Sequence, residues 1–348
     1  MDLVCIKSKS RIYELDIAKA ICIISVILGH SFQQNQCYRL MQAIYCFHMP
    51  LLFMISGYFI SEKKEIKEFI TNRFFRLIIP YWICCVGYIL LYLAHAIQNG
   101  ESVWREVVNR VYICFYGSGA DKGTWSLFGE KLLFHDEIGM LWFLLALFWG
   151  SIIVRIIVEL KFSWLYSIVI SLGGIILSHY FVAPFSLLNG LSVVFWIYSG
   201  YLFKKKYFIF DDTNKFIIHW YLIPTALVLY VISIIGGGTR LYENTYQLGI
   251  IDIAAAYLIS YCVIALSSLI NKSVKLAQIL NAVGRNTMQI YAGHFLVLNT
   301  YIVPKIIRHI FTEVSVISVS FYCVIFIALS FAMAFIIKKI KVIDRFFE

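Results

Sequence analysis

The sequence predicts an all-α protein that crosses a membrane many times, and three observations lead to this fold class. Hydrophobic residues make up 61% of the 348 residues and charged residues only 14%, which is far more apolar than a soluble domain. The mean hydropathy is accordingly high, at +0.79. Apolar runs of the length that a membrane-spanning helix needs follow one another from residue 16 to residue 337. We therefore expect a single membrane-embedded domain over residues 1–348, with no appended soluble domain.

The apolar runs predict ten transmembrane helices. They lie near residues 16–33, 43–60, 78–98, 138–158, 164–182, 187–203, 217–235, 247–269, 287–307 and 315–337. Most of the 30 Lys and Arg residues fall in both termini and in every second connection between the runs. Cytoplasmic loops carry such an excess of basic residues, so the sequence predicts that both termini face the cytoplasm.

Charge and cysteine usage exclude other classes of protein. The net charge of +10 comes from short basic clusters between apolar runs, which indicate membrane topology rather than nucleic-acid binding. The nine cysteines lie mostly inside apolar runs, without the spacing of a disulfide framework or a metal site. The first run follows a basic tail as a signal peptide does, but Asp16 interrupts it and no small-residue cleavage site follows. We expect the first span to be retained.

The first predicted span, residues 16–33 of the stretch that begins "ELDIAKAICIISVILGHSF" at residue 14, carries Asp16, Lys19 and His30. At about 100° per residue all three lie close to one helix face, with His30 about 16 Å deeper than Lys19. Asp16 and Lys19 can pair with each other at this spacing, as a polar lining or as a snorkelling pair at the membrane interface. His30 is suited to deprotonate a hydroxyl, although a histidine near the end of a span can also simply be hydrated.

The predicted cytoplasmic loop at 61–77 ends in Arg73-x-x-Arg76. Two guanidinium groups one helical turn apart can bind a phosphate or pyrophosphate. The same spacing in a basic loop also serves as a topology signal or as a contact to anionic lipid. Next to a base inside the membrane, it suggests an anionic cofactor that binds from inside the cell.

Three more ionisable residues at or within predicted spans are candidate site residues. His48 opens the second span and is either part of the same external cavity as His30 or an interfacial histidine. Glu137 precedes the fourth span, where it caps the helix or serves as a carboxylate that orients a histidine or binds a sugar. His294 lies inside the ninth span without a partner nearby in sequence. Ser56 and Gly57 in the second span favour close helix packing.

The longest predicted external loop, residues 99–137, is rich in aromatic side chains. They are Trp104, Tyr112, Phe115, Tyr116, Trp125, Phe128 and Phe134. Such a loop folds into a lid or a sugar-stacking surface, or it contributes an interfacial aromatic belt. Both interpretations stay open from the sequence.

Sequence motifs of common enzyme classes are absent. The chain has no P-loop, no dinucleotide-binding fingerprint, no G-x-S-x-G motif, no HExxH and no Cys/His metal cluster. A transporter or flippase for a lipid-linked sugar and a membrane glycan polymerase remain alternatives, since both use polar groups inside many spans. The sequence has no internal repeat and only five prolines, which argues against a transporter built from inverted halves.

Taken in order, several motifs resemble the integral-membrane acyltransferase-3 family, which includes bacterial O-acetyltransferases of surface polysaccharides. The motifs are Lys19 with His30, Arg73-x-x-Arg76, "LLFMISGYF" in the second span, "LWFL" at 141–144, and Ile290, Tyr291 and His294. The resemblance covers most of the chain. The stretches "LDIAKAICIISVILGH" and "FHMPLLFMISGY" are most similar to its fucose 4-O-acetylase-like branch.

The resemblance implies a multi-pass O-acetyltransferase of the bacterial cytoplasmic (inner) membrane. Its donor would be acetyl-CoA, and its acceptor a sugar hydroxyl of O-antigen, capsule, exopolysaccharide or a lipid-linked precursor, with no metal and no nucleic acid involved. We expect His30 as general base, or as the carrier of an acetyl group in a rival relay, with Glu137 also catalytic. We expect Lys19, Arg73 and Arg76 to bind the donor and His48, Trp142 and His294 to bind the sugar. Asp16 is expected to form an ion pair with Lys19.

Overall fold

The computed structural model describes residues 11–119, 126–127, 130–131, 137–205, 216–311 and 313–347. These residues form a helical bundle with very little β structure, which confirms the predicted all-α class. The aromatic residues Trp125, Phe128 and Phe134 of the predicted external loop lie outside the described residues, whereas Trp104, Tyr112, Phe115 and Tyr116 lie on a helix. In the described residues of the first half, the helices are α1 (Tyr13–Gln34), α2 (Tyr38–Tyr45), α3 (His48–Tyr58), α4 (Ile66–Arg73), a π turn (Phe74–Ile78), α5 (Ile79–Asn99), α6 (Val103–Tyr116), a 3-10 turn (Gly139–Leu141), α7 (Trp142–Ile157) and α8 (Ser163–Leu177).

The second half continues the bundle. Its helices are a 3-10 turn (Pro184–Ser186), α9 (Leu187–Ser192), α10 (Val194–Lys205), α11 (Leu222–Ile235), a 3-10 turn (Leu241–Glu243), α12 (Ile250–Ile270), α13 (Val274–Arg285), α14 (Thr287–Asn299), α15 (Ile302–Ile310), α16 (Val316–Lys339) and α17 (Lys341–Asp344). The strands pair as two antiparallel hairpins, β1 (Ser126–Leu127) with β2 (Glu130–Lys131) and β3 (Thr239–Arg240) with β4 (Thr245–Tyr246).

In the described part of the chain, six helices are long and apolar enough to cross a membrane. They cover Tyr13–Gln33, Tyr38–Tyr58, Ile66–Asn99, Gly139–Ile157, Ile250–Ile270 and Val316–Lys339. Two bent pairs bring the number to eight if each pair is one span. Helices α9 and α10 meet at 51°, and α14 and α15 meet at 58°. The apolar helices α8 and α11, of 15 and 14 residues, coincide with the two remaining predicted spans and are shorter than the usual 20 residues.

The connection between the second and third spans differs from the sequence-based expectation. Residues 61–77 are predicted as a loop, but α4, the π turn and α5 form one continuous 34-residue helix, Ile66–Asn99. The charged residues between 66 and 77 therefore lie on a helix that begins before the apolar run at 78–98. Arg73 ends α4 and Arg76 lies within the π turn, so the local helix geometry changes between them.

Helix α1 lies at the centre of the bundle. It packs against α2, α3, α12, α13, α14 and α16, and its apolar residues Ile17, Ala18, Ala20, Cys22 and Ile27 are fully buried. The helix that carries Asp16, Lys19 and His30 is therefore surrounded by protein rather than by lipid. Its polar groups face other helices or the pockets between them, as expected for functional groups at membrane depth.

Glycine residues allow the helices around α1 to approach closely. A Cβ atom on Gly57 of α3 would lie 1.8 Å from the carbonyl oxygen of Ile197, and one on Gly200 of α10 would lie 1.8 Å from that of Met54. Helices α3 and α10 are thus in backbone contact, which confirms the packing role predicted for Gly57. In the same way Gly284 of α13 contacts the carbonyl oxygen of Asp16, 1.9 Å from where its Cβ would be.

Candidate active site

A pocket lies at the C-terminal end of α1, and we call it the histidine pocket. It is open to the outside of the protein and has about 620 Å³ of empty space, which includes the solvent at its mouth. Its lining residues come from α1, α2, α3, the turn before α7, the hairpin β3–β4 and α14. They are Val26, His30, Gln33, Tyr45, His48, Met49, Gly119, Glu137, Gly139, Met140, Trp142, Thr239, Leu241, Tyr242 and Tyr291.

His30 lies on the inner wall of the histidine pocket. The side chain is half-buried, so its ring both contacts the bundle and reaches the empty space. The amide of Gln33, one turn further along α1, is within hydrogen-bonding reach of the ring. The phenol ring of Tyr45 lies edge-on with its centroid 6.2 Å away. A histidine placed in this way can exchange a proton with a molecule in the pocket.

His294 lies directly behind His30. The centroids of the two rings are 5.3 Å apart, and His294 is 0% exposed. Neither ring nitrogen of His294 has a hydrogen-bond partner among the described residues, which is costly for a buried polar group. The sequence predicts His294 as a sugar-binding residue, whereas the structure places it outside the lining of the pocket, against His30 and the ring of Phe326 at 4.8 Å.

His48 and Tyr45 also line the pocket. The Nδ1 atom of His48 is 2.8 Å from the carbonyl oxygen of Ile44. A carbonyl oxygen only accepts, so Nδ1 donates and Nε2 of a neutral ring carries the lone pair. The hydroxyl of Tyr45 donates to Oε1 of Gln33 at 3.2 Å, and its ring lies 5.2 Å from that of His48. Tyr45 is thereby fixed between His30 and His48.

The turn before α7 supplies the remaining predicted site residues. Glu137 lines the pocket and is exposed. Trp142, the first residue of α7, also lines it and packs against Phe53 at 6.1 Å between ring centroids. The hydroxyl of Tyr291 donates a hydrogen bond to the carbonyl oxygen of Met140, which ties this turn to α14. The structure thus brings His30, His48, Glu137 and Trp142 together around one space.

The hairpin β3–β4 forms a wall of the pocket that the sequence analysis missed. It contributes Thr239, Leu241 and Tyr242 to the lining. Burial, with the neighbouring Glu243 carboxylate, raises the pKa of Tyr242 to about 12, so the phenol is neutral and can donate a hydrogen bond near pH 7. A signal was available in the sequence, because the polar run "TRLYENT" follows the glycine triplet at 236–238.

Buried polar side chains hold this hairpin in place. The amide nitrogen of Asn189 on α9 donates to the carbonyl oxygens of Leu241 at 3.2 Å and Tyr242 at 2.9 Å. The hydroxyl of Ser192 donates to Oδ1 of Asn244 at 2.6 Å. These bonds satisfy backbone groups that would otherwise be buried without partners. The short bent helix α9 therefore determines where the hairpin meets the pocket.

The predicted donor-binding residues lie at the other end of α1. Asp16, which is 4% exposed, accepts from Nζ of Lys19 at 3.2 Å and also from Nε of Arg11 at 2.5 Å. The ammonium group of Lys19 lies 5.1 Å from the ring centroid of Phe59. The pair predicted from the sequence is present, and Arg11 extends it to three charges.

Arg73 lies next to the C-terminal end of α3, close to where Lys19 contacts Phe59. Its Nη1 atom is 3.5 Å from the hydroxyl of Ser56, and its guanidinium lies 5.1 Å from the ring centroid of Phe69. Arg76 is exposed. Lys19 contacts Phe59 and Arg73 contacts Ser56, both at the C-terminal end of α3. We call Lys19, Arg73 and Arg76 the basic cluster. It is separated from His30 by eleven residues of α1, about 16 Å along the helix axis.

Other cations at this end have a structural role. The guanidinium of Arg155, 2% exposed, donates to the carbonyl oxygens of Glu62 at 3.0 Å and Lys64 at 2.6 Å. Lys205 forms an ion pair with Glu62 at 2.6 Å. These contacts fix the connection that leads from α3 into α4. Within the described residues, no group of three His, Cys, Asp or Glu side chains is arranged to hold a metal ion.

Comparisons with known proteins gave one result. The model of the family Acyl_transf_3, described as an acyltransferase domain, matches residues 12–335, which is nearly the whole chain. Neither the search of curated proteins nor the search of solved structures found a match. The matched range includes every residue of the histidine pocket and of the basic cluster.

Proposed function

Because the chain belongs to the Acyl_transf_3 family of membrane acyltransferases, we propose that it transfers an acetyl group from acetyl-CoA to a sugar hydroxyl. The acceptor is a cell-surface polysaccharide, such as O-antigen, capsule or exopolysaccharide, or its lipid-linked precursor. One observation carries this proposal. His30, a residue suited to remove a hydroxyl proton, lies half-buried in the wall of an open pocket that also contains a carboxylate, a second histidine and aromatic rings.

The proposed topology places the two ends of α1 on opposite sides of the bacterial cytoplasmic membrane. Helices α8 and α11 complete ten spans, and both termini lie in the cytoplasm. The excess of Lys and Arg in the connections of that side supports this orientation. The basic cluster then faces the cytoplasm, where acetyl-CoA is found, and the histidine pocket faces the outside, where the glycan is found.

In the proposed reaction, a ring nitrogen of His30 accepts the proton of the sugar hydroxyl. The hydroxyl oxygen attacks the carbonyl carbon of the acetyl thioester, a C–O bond forms and the C–S bond breaks. The sulfur leaves with the electron pair and takes up the proton that His30 holds. In the rival sequence the nitrogen itself attacks and carries the acetyl group to the sugar. Both sequences require a neutral His30 next to the pocket.

The lining of the histidine pocket supports a sugar as the acceptor. Glu137 can accept hydrogen bonds from hydroxyl groups, and the neutral phenol of Tyr242 can donate one. Trp142 adds an aromatic surface of the kind that contacts the apolar side of a sugar ring. His48 also lines the pocket and carries a lone pair on Nε2. The similarity to the fucose 4-O-acetylase-like branch stays a prediction.

The basic cluster is suited to the phosphates of the donor. Arg73 and Arg76 supply planar guanidinium donors. The ammonium group of Lys19 on α1 lies at the same end of α3 that Arg73 contacts. The 16 Å between Lys19 and His30 is a distance that the pantetheine arm of acetyl-CoA can span. We propose that Asp16 keeps Lys19 in this position.

The experiment that tests this function compares cells that carry the wild-type protein with cells that carry His30→Ala. We expect loss of O-acetyl signals from surface glycan by NMR, with normal amounts of the variant in the membrane. His179→Ala, which removes an exposed histidine at the end of α8, is the matched control and should keep full acetylation. Full O-acetyl content in the His30→Ala cells would show that the base assignment is wrong.

A flippase for a lipid-linked sugar is the second candidate function. The two bent helix pairs, at 51° and 58°, favour it because transporters often bind substrate at discontinuous helices. The same glycan comparison separates the candidates. Deletion of an O-acetyltransferase removes acetyl groups from glycan of normal length, whereas deletion of a flippase stops export and deletion of a polymerase shortens the chains.

A further inference from the structure

A second pocket is lined by residues near the start of α14 and near the end of α16, and we call it the basal pocket. It is lined by Ala282, Arg285, Asn286, Gln289 and Lys338 and has about 690 Å³ of empty space, which includes the solvent at its open side. The residue before Arg285 is Gly284, which contacts the carbonyl oxygen of Asp16. The basal pocket is therefore next to the N-terminal end of α1, on the side where the basic cluster lies.

The rim of the basal pocket is positively charged. Arg285 and Lys338 are both exposed, and Nζ of Lys338 is held at 2.6 Å by Oδ1 of Asn286. The carboxylate of Asp344 accepts from Nε2 of Gln289 at 2.8 Å and is thus hydrogen-bonded to the floor of the pocket. Two cations that share one open space are suited to an anion such as phosphate.

The floor of the pocket provides an acceptor that has no donor. Gln289 is 3% exposed, and its Oε1 atom has no hydrogen-bond partner among the residues that the structure describes. A buried carbonyl oxygen without a donor is costly, and here it belongs to a side chain that lines an open pocket. A ligand that completes this site carries a phosphate group and, beside it, a hydrogen-bond donor.

We propose that the basal pocket binds the phosphorylated nucleoside end of the acyl donor. Arg285 and Lys338 bind the ribose 3′-phosphate, and Oε1 of Gln289 accepts a hydrogen bond from an amino or hydroxyl group of the nucleoside. The basic cluster then binds the diphosphate. This inference rests on the proposed function, because it takes a coenzyme A thioester as the donor.

The position of the pocket on α14 supports a role in donor binding. Gln289 lines the basal pocket, and Tyr291, two residues later, lines the histidine pocket. His294 lies five residues after Gln289, about 7.5 Å along the helix axis, and its ring contacts His30. A molecule anchored in the basal pocket is thus held on the helix that also packs against the proposed base.

The test compares coenzyme A with its 3′-dephospho form, using the purified full-length protein in phosphatidylcholine nanodiscs and isothermal titration calorimetry. We expect the wild type to bind coenzyme A about tenfold more tightly, because charge-assisted hydrogen bonds to the 3′-phosphate are lost in the other ligand. In Arg285→Gln and Lys338→Met the two affinities should become nearly equal. Adenosine 3′,5′-bisphosphate should bind the wild type and lose affinity in both variants.

The controls are Lys275→Gln on α13 and Lys339→Met on α16, which remove neighbouring cations that do not line the pocket. Both should keep the tenfold preference. All four substitutions remove exposed side chains, so folded protein is expected and is checked by size-exclusion chromatography. Equal binding of the two ligands by the wild type, or a preference that persists in both pocket variants, would overturn the assignment.

A phospholipid headgroup offers the same phosphate chemistry, and nanodiscs that contain phosphatidylglycerol or phosphatidylethanolamine distinguish this source. If such lipids raise the melting temperature of the wild type but not of Arg285→Gln, while coenzyme A and its dephospho form bind equally, the nucleoside assignment is wrong. The outcome is separate from that of the His30→Ala test, because binding is measured without transfer. If the protein acetylates glycan but shows no preference for the 3′-phosphate, only the basal-pocket assignment is wrong. If it shows the preference but does not acetylate glycan, only the proposed function is wrong.

Discussion

The contact between His30 and His294 is the most unusual feature at the scale of single residues. Two histidine rings meet with centroids 5.3 Å apart, one of them half-exposed to a pocket and the other completely buried. His30 is the residue that a substrate can reach. We propose that His294, whose ring nitrogens have no hydrogen-bond partner among the described residues, is a positioning residue that orients the His30 ring from behind.

We expect His294→Ala to lower kcat roughly 100-fold, because a small misplacement of a reacting group has an effect of this order. The KM for acetyl-CoA should stay unchanged, since His294 belongs neither to the basic cluster nor to the lining of the basal pocket. His294→Gln should recover part of the rate by restoring a polar group against His30, whereas His294→Leu, which restores only volume, should not. The measurement is acetyl transfer by purified protein at varied acetyl-CoA concentration.

His309→Ala, which removes an exposed histidine on α15, serves as the control and should leave kcat and KM unchanged. If His294→Leu retains the wild-type kcat, the polar group of His294 has no part in positioning His30. If KM for acetyl-CoA rises while kcat is constant, His294 belongs to donor binding instead.

Helical periodicity was enough to place Asp16 and Lys19 on one face and to select His30. The partners of these residues come from distant parts of the chain, and no sequence pattern shows which of them meet. Tyr45 lies 15 residues after His30 but faces it only because α2 folds back along α1, and Tyr242 reaches the pocket through bonds to Asn189. Sequence patterns describe one helix at a time, and such contacts depend on the packing of several.

At the scale of elements, the close pairing of α3 with α10 keeps the basic cluster in position. Arg73 and Lys19 both contact the end of α3, and α3 rests on α10 through Gly57 and Gly200. Any separation of these helices moves the residues that we propose for donor binding.

We expect Gly57→Ala to destabilise the protein by about 1–3 kcal/mol, because a Cβ atom there meets backbone that cannot move aside. Thermal unfolding in detergent, followed by tryptophan fluorescence, should show a lower Tm for this variant and for Gly200→Ala. Gly173→Ala on α8 is the matched control, since a Cβ at that glycine has no neighbour within 4 Å. A Tm for Gly57→Ala equal to that of the control would contradict the close helix contact.

The hairpin β3–β4 is the second element whose position matters for function. We expect Asn189→Leu to raise the KM for the glycan acceptor about tenfold, because the carbonyl oxygens of Leu241 and Tyr242 lose their donor and the hairpin shifts. Acetyl-CoA binding by calorimetry should be unchanged, since the hairpin is at the other end of the molecule. Asn99→Leu, at the exposed end of α5, should change neither value, and a weakened affinity for acetyl-CoA in Asn189→Leu would contradict a local effect.

The sequence predicted the existence of helices better than their shape. Apolar length identifies α1, α7, α12 and α16 as spans, since each is one straight run. The bends between α9 and α10 and between α14 and α15 occur inside apolar runs, where hydropathy does not change. The helix through residues 66–77 was missed for the opposite reason, because its charged residues lower the hydropathy of a segment that is nevertheless helical.

At the scale of the whole molecule, the bundle has two chemically different ends connected by α1 and α14. One end has the histidine pocket with Glu137, Tyr242 and Trp142. The other has the basic cluster and the basal pocket with Arg285 and Lys338. This separation of the cations from His30 supports our proposal that the donor and the acceptor bind from opposite sides of the membrane.

This polarity predicts that acetyl-CoA acts from the cytoplasmic side only. In sealed inside-out vesicles, radiolabelled acetyl-CoA added outside should label glycan, whereas right-side-out vesicles should give no label until detergent makes them permeable. Acetyl-CoA does not cross the bilayer because its phosphates are charged, so the result reports which face binds it. Vesicles with His30→Ala should stay unlabelled in both orientations, which controls for other acetyltransferases. Labelling of intact right-side-out vesicles would contradict the proposed orientation, since it would place the cations of Arg73, Arg76, Arg285 and Lys338 outside the cell.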